Sequence, residues 1–376
     1  VRILISAGEA SGDLYASRLV EQIKLRHPEA EFFGCAGPRM QQAGVLPIVD
    51  SRALSVVGIV EVVAHIPRIW REFRKLVRAG AEAELAILTD SPDTHLRLAK
   101  KLKIPVVYLI APQAWAWREG RVKTMRRTIA RLLCIFPFEE KFFEDRGVAT
   151  TFIGHPLARI VQPSMTADEF RAQFELPHKP IVTLLPGSRH GEVQRHLPIL
   201  IDVVERLGPS YTYVLALPGG FGFENSTFWE PIRASSIQVI EGSTWDALAH
   251  AEVALAASGT VTIEAALLGA PMVTFYRVNA LSWILGRWLV RAPFLSMVNL
   301  VAGRKIVAEL IQGDMTAERI AGEATRLLND PEARDAMRAG LDEVAAKLAS
   351  ERDPMEIAAE WIEKVFSERK ETVHAG

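Results

Sequence analysis

Three loops carry residues whose type and spacing could do chemistry. The first is Leu184-Leu185-Pro186-Gly187-Ser188-Arg189, placed directly after an apolar run and before a helix that begins around Gly191. Gly187 lets the backbone approach a ligand closely, the helix start offers unpaired N–H groups, and Arg189 supplies a fork for phosphate oxygens. Read alone, the loop is equally an ordinary strand-to-helix turn with an exposed arginine. The second is Ser258-Gly259-Thr260-Val261-Thr262-Ile263-Glu264, again a strand, small residues and a helix. Glu264 has Val261 three residues before it, where a capping box needs Ser or Thr. A lone carboxylate in an apolar helix is costly unless paired. A ribose diol, whose two hydroxyls can both donate to one carboxylate, would pair it. Two helix starts, an arginine and a ribose-type acid together point to a nucleoside diphosphate group.

The third loop, Ser6-Ala7-Gly8-Glu9-Ala10-Ser11-Gly12-Asp13, follows the first apolar run. It is neither GxGxxG nor a P-loop, so a dinucleotide or NTP site is weakly supported. Thr89-Asp90-Ser91-Pro92-Asp93 ends another run. Asp90 and Asp93 are candidates for metal ligation or helix capping. Pro92 suits the first helical position, which makes Asp90 or Ser91 the better cap and leaves Asp93 free for chemistry. No His/Cys cluster has zinc spacing and no GxSxG nucleophile elbow exists; no metal is expected.

These loops need strands to position them. Apolar runs at Arg2–Ala7, Glu31–Cys35, Leu85–Leu88, Val106–Ile110, Leu132–Phe136 and Thr151–Ile153 read as strands. So do Ile181–Leu185, Tyr211–Leu217, Ile237–Ile240, Val253–Leu255 and Met272–Tyr276. Helical patterns lie between them, at Leu14–Lys24, Thr94–Lys101, Val122–Ala130 and Val193–Arg206, the last expected to kink at Pro198. Alternating strands and helices mean parallel sheets buried on both faces. The expected fold is α/β, with two Rossmann-like domains facing each other across a cleft. Residues 1–160, joined by a C-terminal helix at 352–376, form the first, and 161–351 the second. Ligands of such sheets bind outside the carboxyl ends of the strands.

Composition narrows the class. In 376 residues, 44 Lys+Arg balance 45 Asp+Glu, which argues against a dedicated nucleic-acid binder. Cys35 and Cys134 are too few for a disulfide framework and sit in apolar runs, as buried small hydrophobes do. No signal-peptide pattern opens the chain, and Val253–Tyr276 is divided by Gly and Pro into strand, helix and strand.

The ordered motifs SAGEASGD, GPRM, VVGIVEVV, SPD, APQAWAWREGRVK, FPFEEKFF, FIGHPL, LLPGSRHGEV, SGTVTIEAALLGAPMVTFYR and MVNLVAGRKIVAELIQ run from about Ile3 to Gln312. In this order they resemble the lipid A disaccharide synthase family. The resemblance implies an inverting glycosyltransferase of the GT-B type. Its substrates would be UDP-2,3-diacylglucosamine and 2,3-diacylglucosamine 1-phosphate, its product a β-1,6-linked disaccharide 1-phosphate plus UDP. No cofactor is implied. Carried over by motif, Gly187, Ser188 and Arg189 with Ser258, Gly259 and Thr260 take the donor diphosphate, and Glu264 the ribose. Asn299, Glu309 and Gln312 fall on the donor side. Asp93 is the expected general base, with Glu9 and Asp13 in reserve. Thr94-His95 and Met297-Val298 depart from the family's usual Phe-Asn and Leu-Pro, which bears on acceptor detail rather than reaction type.

A lipid substrate turns attention to the surface. From Ala265 to Ala308 no acid occurs, while Arg277, Arg287, Arg291, Arg304 and Lys305 are basic. Leu281, Ile284, Leu285, Trp288 and Leu289 form a helical stripe there, fit for the core or for a membrane interface. Val56–Trp70 is a second apolar segment, and Arg118–Arg131 is a basic one, read as a solvated face or as a contact for the acceptor phosphate or anionic lipid. Trp115 and Trp117 are expected to pack in the core. The expected setting is cytoplasmic, at an anionic membrane surface on the inner face of the cytoplasmic membrane, with a homodimer left open. Competing readings are a UDP-N-acetylglucosamine 2-epimerase, a muramyl-peptide N-acetylglucosaminyltransferase, a nucleotide-sugar binding protein and an NAD-dependent dehydrogenase.

Overall fold

A computed structural model describes residues 1–51, 59–116, 118–222, 227–278 and 292–374. The chain forms two compact units, Val1–Pro156 with Leu348–Gly376, and Leu157–Lys347. Unit 1 contains β1 (Arg2–Ser6), β2 (Glu31–Ala36), β3 (Val45–Asp50), β4 (Leu85–Thr89), β5 (Val106–Leu109), β6 (Arg131–Cys134) and β7 (Thr150–Phe152). All are parallel, in the order β3-β2-β1-β4-β5-β6-β7. Unit 2 contains β8 (Ile181–Leu185), β9 (Thr212–Leu217), β10 (Ile237–Glu241), β11 (Val253–Ala257), β12 (Met272–Tyr276) and β13 (Ala308–Ile311). These too are parallel, ordered β10-β9-β8-β11-β12-β13.

The central strands form because every side chain can be buried. All five residues of β4, β8 and β11 are inaccessible, as helices on both faces of a parallel sheet require. Two strands lie outside the apolar runs read from the sequence. Both β3 and β13 are edge strands, and β3 carries Pro47 and an exposed Leu46. An edge strand is wetted on one side and tolerates proline, so its pattern is weak.

Helix His190–Leu207 runs unbroken through Pro198. The C-terminal helix Pro354–His374 belongs to unit 1, where Glu360 and Glu363 each meet Arg26 at 3.0 Å and Trp361 lies 4.0 Å beneath the Arg131 guanidinium. Cys35 and Cys134 are free and buried. Among the described residues, no helix is long and apolar enough to cross a membrane. The stripe Leu281–Leu289 with Arg287 and Arg291, and Trp117, lie outside the described residues, as does part of Val56–Trp70.

Candidate active site

In each sheet the strand order reverses between the first strand and its fourth, at β1/β4 and at β8/β11. Ligands of open parallel sheets bind at such switch points. Every motif singled out as a strand-end loop falls at one of the two.

At β1/β4 the chain is bent hard. Asp90 and Ser91 are successive non-glycine residues with φ of 51° and 35°, a left-handed conformation that persists only when its surroundings impose it. Four groups impose it. The Asp90 carboxylate accepts from Gly8 N at 2.8 Å and Glu9 N at 3.0 Å, which binds the β4 loop to the β1 loop. Its carbonyl accepts from the Tyr108 hydroxyl and from His95 Nδ1 at 3.1 Å. His95 is wholly buried, and burial pushes it down to about 4, so the ring is neutral. A carbonyl needs a donor, so the ring proton sits on Nδ1 and Nε2 accepts from Ser6 Oγ at 2.8 Å. The glycines of SAGEASGD are steric partners of this turn. A Cβ on Gly12 would lie 1.8 Å from Asp90 Oδ2, and one on Gly8 2.2 Å from Ser91 Oγ.

The carboxylates here differ sharply. Burial pushes Asp90 up to about 7, against the opposing pull of the Gly8 and Glu9 amides. Asp93, at the start of helix Pro92–Ala99, is held by Arg118 Nη1 at 2.8 and 3.0 Å and Arg121 Nη2 at 2.8 Å. Partial burial raises Asp93, but bonds and charge from Arg121 and Arg118 outweigh it and hold the carboxyl below its usual range. Glu9 is exposed at the start of helix Ala10–Arg26 and makes no side-chain cap bond. Asp13 is a helix cap: its oxygens accept from Arg39 N at 3.0 Å and Met40 N at 3.1 Å, at the start of helix Pro38–Gln42. Of the two caps expected for the Pro92 helix, Ser91 holds the position, without a side-chain cap bond, while the Asp90 carboxylate reaches back to the β1 loop. Among the described residues, no group of three His, Cys, Asp or Glu side chains could hold a metal ion.

At β8/β11 the loop folds around its own helix. Gly187 has φ 128°, and a Cβ there would strike Glu192. Glu192 Oε2 accepts weakly from Ser188 N at 3.2 Å and Arg189 N at 3.4 Å, while Oε1 accepts from the Tyr276 hydroxyl at 3.0 Å. The exposed Arg189 guanidinium lies 3.6 Å from the same carboxylate. His196, one turn further on, donates from Nδ1 to Pro186 O at 2.6 Å and accepts at Nε2 from Arg277 N at 3.2 Å. It thereby ties the loop to the end of β12.

Across the switch, helix Thr260–Leu267 starts after Gly259 with no side-chain cap from that residue. Ser258 Oγ donates to Leu295 O at 3.3 Å, so it braces the following loop. Burial pushes the Glu264 carboxyl upward, and a hydrogen bond from Trp245 draws it partly back. The sequence shows no partner for Glu264; the Trp245 indole on helix Thr244–Ala249 is one.

Asn299, Glu309 and Gln312 are held by bonds within the protein. Asn299 is wholly buried; Oδ1 accepts from Ile306 N and Val307 N, and Nδ2 donates to Val307 O and Glu309. Those four bonds fill its amide's capacity. Glu309 also accepts from Leu295 N at 3.0 Å and Ser296 N at 2.9 Å, at the start of helix Met297–Ala302. Gln312 Oε1 accepts from Val278 N at 3.2 Å. The three side chains staple the loops that flank the switch point.

Sequence reasoning missed Ser6, His95 and Tyr108 as a network, and Glu192 and His196 as loop anchors. Glu192 lies inside the quoted LLPGSRHGEV motif and was available to it. Ser6 and His95 are 89 positions apart and meet only because β1 pairs with β4.

Two parallel sheets of this order, each with its motif loops at its own switch point, define an α/β protein of the GT-B type. Solved structures share the fold along nearly the whole chain. The glycotransferase of kitacinnamycin aligns with a TM-score of 0.62 at 16 % identity, covering 97 % of this chain and 98 % of that one. UDP-GlcNAc 2-epimerase from Neisseria meningitidis, bound to UDP-GlcNAc, aligns with a TM-score of 0.62 at 11 % identity, covering 98 % and 100 %. The lipid-A-disaccharide synthetase family model matches residues 3–360, and the chain belongs to that family. It is 58 % identical over 354 residues to the lipid-A-disaccharide synthase of Solibacter usitatus, covering 93 % of each chain. It is 41 % identical over 356 residues to that of Myxococcus xanthus, covering 92 % of this chain and 93 % of the other. The chain is therefore a glycosyltransferase of lipid A biosynthesis. The epimerase, muramyl-transferase, binding-protein and dehydrogenase readings fall away.

Proposed function

We propose that the chain transfers the 2,3-diacylglucosaminyl group of UDP-2,3-diacylglucosamine to the 6-hydroxyl of 2,3-diacylglucosamine 1-phosphate, with inversion, releasing UDP. The family match across residues 3–360 carries this reading. UDP is a good leaving group, so the demand on the protein is to stabilise charge on the diphosphate. Arg189, the amides of Gly187 and Ser188 and the helix start at Gly259-Thr260 are suited to that, and Glu264 to the ribose. The acceptor hydroxyl needs a base. Asp90 suits this role better than Asp93, because burial has raised it to about 7 whereas two arginines hold Asp93 down. Glu9, beside Asp90, is the second carboxylate of that site.

Acylated substrates fit work at a membrane surface, and we assign the chain to the cytoplasmic face of the inner membrane with peripheral contact to anionic lipid. Trp70, 54 % exposed beneath the Arg74 guanidinium at 3.8 Å, supports such a contact. Incubation with the two acylated sugars should yield a tetraacyl disaccharide 1-phosphate and UDP in equal amounts. UDP release without the disaccharide would overturn the assignment.

A further inference from the structure

The basic stretch Arg118–Arg131 has no role in the chemistry so far, yet its first two arginines converge on one carboxylate. Arg118 and Arg121 both reach Asp93 Oδ1 at 2.8 Å. Their exposure is unequal: the Arg121 side chain is 10 % exposed, that of Arg118 49 % and that of Asp93 62 %. The nearly buried Arg121 side chain thus holds an exposed carboxylate at the surface. Arg118 has φ 59°, left-handed for a bulky residue. The loop is braced from within, since the Trp115 indole donates to the buried Glu139 at 3.0 Å and its ring meets Phe138 edge-on. Arg121 N closes the turn on Arg118 O at 2.9 Å. The fork is therefore set in the free protein.

We propose that Arg118 and Arg121 form the binding site for the acceptor's phosphate monoester, with Asp93 as the resident counter-ion that the phosphate displaces. The site depends on the reaction assigned above only in taking the acceptor to be a sugar 1-phosphate. A phosphate monoester brings up to two negative charges and three oxygens, enough for both guanidiniums to bind bidentately with one oxygen shared. Asp93 offers one charge and two oxygens shared between them. Asp90 lies three residues before Asp93 in the same turn, so one hexose could set its hydroxymethyl group at Asp90 and its anomeric phosphate at the fork. Asp93 is then a guard of the phosphate site and not the base.

The test is equilibrium binding of 2,3-diacylglucosamine 1-phosphate, and of the same sugar lacking phosphate, to the full chain in detergent, with turnover measured in parallel. Wild type should prefer the phosphorylated sugar. Arg118→Gln, half-exposed and safe for folding, should weaken that sugar alone by roughly ten- to a hundredfold, the usual worth of one charge-assisted bond. Asp93→Asn should tighten it several-fold by removing the competing anion. Binding of Arg118→Gln to phosphatidylglycerol vesicles should match wild type, which separates a sugar phosphate from a lipid headgroup. Equal loss of both sugars, no wild-type preference, or an effect confined to vesicles would overturn the site. A wild type that prefers the phosphorylated sugar but forms no disaccharide would break the assigned reaction and leave the phosphate site standing.

Discussion

The β1/β4 and β8/β11 switch points occupy equivalent places in their sheets, and each sets a carboxylate against the glycine-bearing loop after the first strand. They differ in where the carboxylate comes from. Asp90 arrives from across the switch, 82 residues from Gly8, and is buried on arrival. Glu192 comes from the next turn of its own loop's helix and has Arg189 and a tyrosine hydroxyl beside it. A buried carboxyl whose affinity for protons is raised is equipped to take one. A carboxylate lying over two amides next to an arginine stands where another anion's oxygens would go. The first unit thus holds a carboxyl of raised proton affinity, the second a carboxylate beside an arginine.

The largest effect should come from Asp90→Asn. Loss of a general base costs roughly 10²–10⁴ in rate. The wild-type kcat/KM should rise with pH and level off above about 7, where Asp90 ionises, and the variant should lose that limb. Stability should move the other way. Because burial raises Asp90 in the folded state above the usual carboxylate range, the folded chain holds a proton that the unfolded chain has released. This contribution is full below about 4 and is lost as pH climbs through about 7. A pH–rate profile for Asp90→Asn that kept the limb would move the base elsewhere, to Glu9 first.

Arg189→Ala tests the other unit. Removing one preorganised group that stabilises developing charge costs roughly 10²–10³ in kcat. The loss should be independent of pH between 6 and 8, in contrast to Asp90→Asn, and UDP should bind more weakly. Unchanged steady-state rates would remove Arg189 from the diphosphate site.

How much of this could be read beforehand depends on the range of each contact. Strands such as Ile181–Leu185 announce themselves because nearly all their side chains are apolar, Thr183 excepted, and the motif loops follow them directly in sequence. Edge strands β3 and β13 do not, since one side faces water and Leu46 is 63 % exposed. The pairing of Asp90 with the β1 loop required knowing that β1 and β4 are neighbours. Spacing alone favoured Asp93, and its arginine partners lie 25 and 28 residues later, Arg118 in a left-handed loop position and Arg121 in the first turn of helix Gly120–Thr128. Asn299 and Glu309 look like ligand residues by type, yet their bonds go to each other and to backbone on either side of helix Met297–Ala302. A polar motif can serve a site by holding its walls.

Glu192→Gln sharpens the contrast from the side of the second unit. The amide still offers an oxygen to Ser188 N and Arg189 N but removes a charge that an incoming diphosphate must displace or approach. Two unit charges about 4 Å apart interact by about 1 kcal/mol even at the dielectric of water, so UDP affinity should rise roughly fivefold. Calorimetric titration with UDP checks this. Weaker UDP binding would mean that the Glu192 charge shapes the loop for the ligand instead of occupying its place.

Tyr108→Phe should give the smallest change and is the finest probe of how Asp90 is held. The Tyr108 hydroxyl and His95 Nδ1 both donate to the Asp90 carbonyl, and that peptide links the two left-handed residues. One neutral hydrogen bond contributes about 1 kcal/mol net, and with His95 still in place the turn should survive. Denaturant titration should show a loss of that order, with kcat reduced less than tenfold and the pH limb near 7 retained. His95→Ala should cost more, because it empties a buried site and leaves Ser6 Oγ without its partner. Since both act on one carbonyl, the double variant should exceed the sum of the singles. Strict additivity would show that the two donors do not share the work of holding the turn, and that the Gly8 and Glu9 amides alone fix Asp90.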